Sequence, residues 1–416
     1  MLDGGNDSFN MLVPRDKKHY NEYQNTRANL ALSRDKLLAL KNTQDKQGRQ
    51  FGLHPSLKPL QSLYDNKQLT FVANTGPMIA PVTKASYLNK SAAIPLGLLS
   101  HADQFNHWQT ARADQRINQG WFGLLADNLQ ASRKPQQVPM NISLAGSNIL
   151  QNGHSTSHYS INQEGSVGLV INEQKSALNT EIFNSFNELL LSHYPNDPFK
   201  QTYIAQTREA QALHQVFRDA TAQVKVASAF SNTDLSHQLR KIAQSIKAAD
   251  KLGLDQQTYF VRYIGWDHHD ELLNSHARML KVLANGLSEF QQALQKMKLD
   301  DQVITFTGSD FGRTLTSNGN GTDHGWGGNT IVMGSAIAGG QVLGEYPSLG
   351  LGNKNPLDIG NGVLIPTLPI DALYAELARW FGVPNSHINQ LFPNLANFAH
   401  NACTKGIGLF NAKHNC

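Results

Sequence analysis

Short apolar runs recur along the chain, and each ends in a glycine or a cluster of polar side chains. Five of them read as strands: QLTFVANTG (68–76), VPMNISLAG (138–146), QQTYFVRYIGWD (256–267), QVITFTGSDFG (302–312) and NTIVMGSA (329–336). Their β-branched and aromatic content, bounded by Gly, Ser, Asn and Asp, is that of buried strands. Between them the period changes from two to three or four. Over 271–298, Leu273, His276, Leu280, Leu283, Leu287, Phe290, Leu294 and Met297 fall alternately three and four apart, which predicts one long helix with a single apolar stripe. Residues 204–250 predict two helices broken near SNTD, with Ser231 or Asn232 as the second cap. DALYAELARWFG (371–382) predicts a short amphipathic helix stopped at Gly382.

Strands alternating with helices predict an α/β fold with a mostly parallel central sheet and helices on both faces. Such sheets bind ligands beyond the carboxyl ends of their strands. There is no internal repeat and no linker, so residues 1–416 read as one domain, with the Ser/Asn-rich 147–200 stretch as a surface insertion or cap. Composition narrows the function. A formal charge of only +4, spread without Lys/Arg runs, argues against nucleic acid as a partner. No apolar stretch approaches 18 residues, so no membrane span is expected. The opening MLDGGNDSFNMLVP starts on a Gly-Gly turn where a first strand should precede it, so a strand and the true start are expected upstream. The two cysteines, Cys403 and Cys416, are spaced for a small disulfide loop, which an oxidising compartment would favour.

The strand ends carry the chemistry. In GWDHHDELLNSH (265–276), Asp267 ends a strand and His269 lies two residues on, where an extended chain puts both side chains on one face. That spacing lets a carboxylate and an imidazole grip one divalent ion. His276, on the apolar stripe, reads as a hydrogen-bonded core histidine. In TGSDFGRT (307–314), Asp310 ends the next strand, and Arg313 can pair with it or with an anionic substrate. SNGNGTDHGWGG (317–328) sets His324 in a Gly-rich loop whose backbone can approach a ligand closely. GLLSHADQFNHWQTA (97–111) places Ser100 and His101 at a helix start, where a hydroxyl meets the positive end of the dipole. LDGGNDSFN adds Asp3, Asn6 and Asp7 on the loop after the first strand. Oxygen and nitrogen donors without cysteine suit one or two divalent ions: Zn²⁺, Mn²⁺, Mg²⁺ or Ca²⁺.

LDGGNDSFNMLVP (2–14), FGLHPSLKPL (51–60), SHADQFNHWQTA (100–111) with GWFGLLAD (120–127), GWDHHDELLNSH, GSDFGRT (308–314) and GTDHGWGG (321–328) together resemble the domain of unknown function 1501 family of the alkaline phosphatase/sulfatase superfamily. The resemblance covers nearly the whole chain. It implies an alkaline phosphatase-like fold and an export signal, often twin-arginine, hence a periplasmic or secreted protein. It implies Asp3 or Asp7 as an acidic ligand after strand one, Ser100 as nucleophile, and Asp267 with His269 on one metal. Asp310 and His324 complete the metal set. Asn6, His101 and Arg313 fall to the substrate, a small anionic ester. Phe311 stands where the superfamily has a second histidine, which leaves open a one-metal or inactive protein. Two readings follow: an exported metal-dependent hydrolase of phosphate or sulfate esters, or a non-catalytic binding or assembly protein on the same fold.

Overall fold

A computed structural model describes residues 1–45, 47–130, 138–166, 168, 176–398 and 406–410. Cys403 and Cys416, and with them the expected disulfide, lie outside the described residues.

Leu69–Gly76 is the best-buried strand, with all eight residues removed from solvent. It runs antiparallel to Gly328–Met333 and parallel to Val342–Gly344 and Leu368–Pro369. Gly328–Met333 pairs in turn, antiparallel, with Thr305–Phe306. The alternation of side chains explains the continuous apolar run. Leu69, Phe71, Ala73, Ile331 and Met333 enter one core, and Val72 and Val332 enter another on the opposite face. The first core is closed by the Asp234–Lys247 and Leu272–Met297 helices, the second by Trp108, Trp121, Leu373 and Leu377 from helices on the other side.

A second group of strands is parallel. Asn141–Ser143 lies between Tyr159–Asn162 and Thr258–Phe260. Two residues further on, Tyr263–Ile264 pair with Leu2–Asp3, and Leu2 makes a parallel bridge to Ser309. A separate antiparallel sheet joins Leu12–Pro14, Gln50–Leu53 and Leu38–Gln44. The architecture is therefore a mixed α/β arrangement of several sheets and helices, with no closed barrel among the described residues. No helix among them is long and apolar enough to cross a membrane.

The five strand expectations fall on observed strands, all shorter than the apolar runs that announced them. Three helical details differ. The long helix is Leu272–Met297, and its stripe begins at buried Leu272 while Leu273 is exposed. Glu271, the residue before it, takes a left-handed φ of 49°, so the helix starts one residue later than expected. The cap of Asp234–Lys247 is Thr233, whose hydroxyl accepts from the Ser236 amide, and Ser231 instead donates to Glu289. Within 147–200, the Gly165–Ser166 strand pairs with Tyr159–Asn162, and the Ala177–Leu191 helix follows.

Candidate metal centre

Four segments distant in sequence bring their ends together. Asp267 and His269 follow the Tyr263–Ile264 strand, Asp310 follows Thr305–Phe306, His101 opens the His101–Thr110 helix, and His324 stands in the Gly-rich loop. His101, Asp267 and His324 each offer a ligating atom, and the three atoms lie within 4.8 Å of one another. His269 joins them, its Nε2 3.0 Å from Asp267 Oδ1 and 3.0 Å from His324 Nε2. His101 Nε2 is 3.3 Å from Asp267 Oδ2, and His324 Nε2 is 3.5 Å from Oδ1.

The opposite ring nitrogens define what these atoms are. His101 Nδ1 meets Asp310 Oδ2 at 2.8 Å, His269 Nδ1 meets Asp323 Oδ1 at 3.1 Å, and His324 Nδ1 meets the Leu99 carbonyl at 2.8 Å. Each of those partners accepts, so Nδ1 is the donating nitrogen in each contact and Nε2 is the atom turned toward Asp267. Three imidazole Nε2 atoms and a carboxylate thus converge. Such a set suits Nε2 protons donated to Asp267 or a metal ion held among the four groups. Outward hydrogen bonds from Nδ1 to carboxylate or carbonyl are the usual support of metal-binding histidines.

Backbone geometry fixes this. Leu99 takes a left-handed φ of 72°, an uncommon conformation for leucine, and its carbonyl is the one that orients His324. Gly4, at φ +121°, passes so close to the Asp267 amide that a Cβ would sit 2.6 Å from it. The Gly4 amide donates to Asp310 Oδ2 at 3.1 Å. The Gly-Gly turn is thus packed between two of the acidic strand ends.

Beneath the four ligands lie Asp310 and Arg313, both about 1% exposed, while Asp267 and the three histidines remain partly open to solvent. Burial works against the Asp267 charge, but the bond and charge of Arg313, with His269 and His101, hold its carboxyl below the usual range. Burial raises Asp310, and His101 and the Gly4 amide only partly offset it. Its second oxygen is buried without a hydrogen-bond partner among the described residues. Burial lowers His324, as do the nearby His101 and Arg313, which favours the neutral ring that ligation requires.

The remaining sequence candidates sit elsewhere or do something else. Arg313 faces Asp267, the Gly4 carbonyl and both the hydroxyl and carbonyl of Thr322, so it braces the loops and has no free edge for an anion. Asp7 is wholly buried and paired with Arg27, whose guanidinium also donates to the Thr314 and Leu315 carbonyls. Asp3 pairs with Arg262, and its carbonyl receives the Gly265 and Trp266 amides, so it anchors the segment leading to Asp267. Asn6 accepts from His276 at 2.9 Å in the core, which makes His276 the hydrogen-bonded core histidine expected. Ser100 precedes His101, makes no capping bond, and meets the Asp103 carboxylate, which Arg116 also holds. Phe311 packs 4.7 Å from the His101 ring and 4.6 Å from the His324 ring, centroid to centroid. The histidine that stands beside Asp310 in space is His101.

Sequence reasoning gave His101 to the substrate and assigned no role to Asp323 or Leu99. Asp323 directly precedes His324 and was readable as a potential partner, but nothing in the sequence indicates that it orients His269 instead.

The family model for proteins of unknown function designated DUF1501 matches residues 1–391. The chain belongs to the DUF1501 family. No match was found among curated proteins or among solved structures. In this DUF1501 chain, every residue of the converging His/Asp group lies within the matched region.

Proposed function

We propose that this DUF1501 protein is a metal-dependent hydrolase of phosphate or sulfate esters, built on an alkaline phosphatase-like fold and working in the periplasm or outside the cell. One observation carries the reading: His101, His269 and His324 aim Nε2 at Asp267 while each Nδ1 is satisfied outward. The donor set fits a divalent ion, for the atoms are nitrogen and oxygen, are partly open to solvent and are oriented from behind. His101, Asp267, His269 and His324 would hold it, with Asp310 supporting His101. When bound, such an ion acts as a Lewis acid toward an anionic ester.

The protein's own groups do the rest. Ser100, next to His101 at the helix start, is the nucleophile, and Asp103 is the carboxylate its hydroxyl meets. Arg313 keeps Asp267 charged and in place. The decisive experiment is hydrolysis of aryl phosphates and sulfates by wild type and Ser100→Ala, with metal content measured on both. Loss of hydrolysis by orders of magnitude with metal retained supports the enzyme. Wild-type protein that holds metal yet hydrolyses nothing contradicts it.

A second reading, a metal-holding binding protein, is favoured by one specific observation. Arg313 is wholly buried and is held by Gly4, Asp267 and Thr322, so the residue expected to steady the substrate anion is not available to it.

A further inference from the structure

A cavity of about 800 Å³ passes between the two groups of strands. It lies away from the candidate metal centre, at the amino ends of the strands rather than their carboxyl ends. One wall is Leu239, Ile242 and Leu287 from the first helical layer, and the other is Trp121, Tyr374 and Phe306. A void that touches both layers crosses the plane of the strands.

The strand pairing explains its position. Leu2 pairs with Tyr263 on one side and bridges to Ser309 on the other, all parallel. The Met1 backbone continues the contact on the Tyr263 side, its nitrogen bonding the Val261 carbonyl at 2.8 Å and its carbonyl accepting from the Tyr263 amide at 2.9 Å. Toward the amino ends the flanking strands run on, as Thr258–Phe260 and Thr305–Phe306, and both line the cavity. Each is an edge strand of its own sheet. The ladders spend Thr258 and Phe260 on the Asn141–Ser143 side, and Thr307 on the Ile331 side. Alternation therefore turns the backbone N–H and C=O of Tyr259 and of Phe306 into the gap, where no strand pairs with them among the described residues. Facing unpaired edges separated by an apolar gap are a template for one more strand. The volume greatly exceeds the roughly 30 Å³ of a single water.

We propose that this cavity is a strand-acceptor slot that takes an extended, mostly apolar peptide segment, running in line with Leu2–Asp3 and parallel to both flanking strands. Its backbone would bond Tyr259 on one side and Phe306 on the other. Its side chains would point alternately into the two helical layers, so both faces should be Val, Ile or Leu. The inference is independent of the metal centre.

The test compares the protein as it stands with versions carrying six residues before Met1, either Val/Ile/Leu or Gly/Ser/Asp. Metal content serves as the control and should not change. The apolar extension should raise Tm and slow amide exchange at Tyr259 and Phe306 by more than about tenfold, as pairing into a stable strand does. The polar extension should leave both as they were. If the apolar extension impairs folding, the same segment supplied as a free acetylated hexapeptide should protect the two amides saturably. Protection by neither form overturns the proposal. So does dodecanoate binding that is undiminished by the apolar extension, which would make the cavity a small-molecule pocket.

Discussion

His269 and His324 face each other through their Nε2 atoms at 3.0 Å, although each ring already donates from Nδ1, to Asp323 and to the Leu99 carbonyl. Asp267 Oδ1 lies 3.0 Å from His269 Nε2, so two imidazole nitrogens and a carboxylate oxygen share one small space that suits a proton or a metal ion. This relationship, more than any motif, carries the functional reading.

The outward partners should therefore matter almost as much as the ligands. Asp323→Ala removes the acceptor that orients His269 and leaves every proposed ligand in place. Zinc affinity measured by chelator competition should fall about ten- to a hundredfold. An unchanged affinity would show that His269 is not held for ligation.

Asp7 separates ligand from scaffold. Its carboxylate is buried against Arg27, so Asp7→Ala leaves a buried guanidinium uncompensated. Stability should drop by about 3–5 kcal/mol, read as a lower urea midpoint. Metal stoichiometry of the folded fraction should stay at the wild-type value. A loss of stoichiometry would return Asp7 to the metal set.

The amino-acid sequence made much of this site legible, because Asp267, His269, Asp310 and His324 all stand just after apolar runs or in a Gly-rich loop. It did not reveal how they face one another. His101 reaches Asp310 across 209 positions, a contact no local spacing encodes. Arg313 looked like an anion clamp because its partners, Gly4, Asp267 and Thr322, come from three separate segments. The same limit acted on the fold. Apolar runs gave the strands, but the antiparallel placement of Gly328–Met333 depends on long-range pairing. The long helix buries Leu272 in place of the expected Leu273 at its first turn, where the apolar spacing could not choose between neighbours.

Two buried groups make stability depend on pH in opposite directions. Burial pulls His54 down from its ordinary 6.5 to about 4. Unfolding lets it take up a proton, so its contribution is present above about pH 6.5 and is lost as pH falls toward 4. His54→Asn, which keeps an acceptor for the Ser56 amide, should remove that loss, on the order of 3 kcal/mol. Urea midpoints at pH 7 and pH 5 for both proteins check it, and parallel declines would contradict it.

Asp371 behaves inversely. Burial raises its carboxyl from 3.8 to about 7, and one of its oxygens has no partner among the described residues. The folded state prefers the protonated acid, so the stabilisation is complete below about pH 4 and is lost as pH rises to about 7. Asp371→Asn mimics the neutral form. It should match wild type at pH 4 and exceed it at pH 8 by a few kcal/mol. Equal stability at both pH values would show that the carboxyl titrates normally.

The most direct measurement is metal content by elemental analysis, on wild type and on a His269→Ala/His324→Ala double variant, each dialysed against Zn²⁺ and then metal-free buffer. Wild type should retain at least about one divalent ion per chain, as a site with three histidines and a carboxylate would. The variant should retain almost none, with a Tm that no longer responds to added zinc. If wild type holds no more metal than the variant, and zinc leaves its Tm unmoved, the cation between His269 and His324 is a proton and the proposed metal centre does not exist.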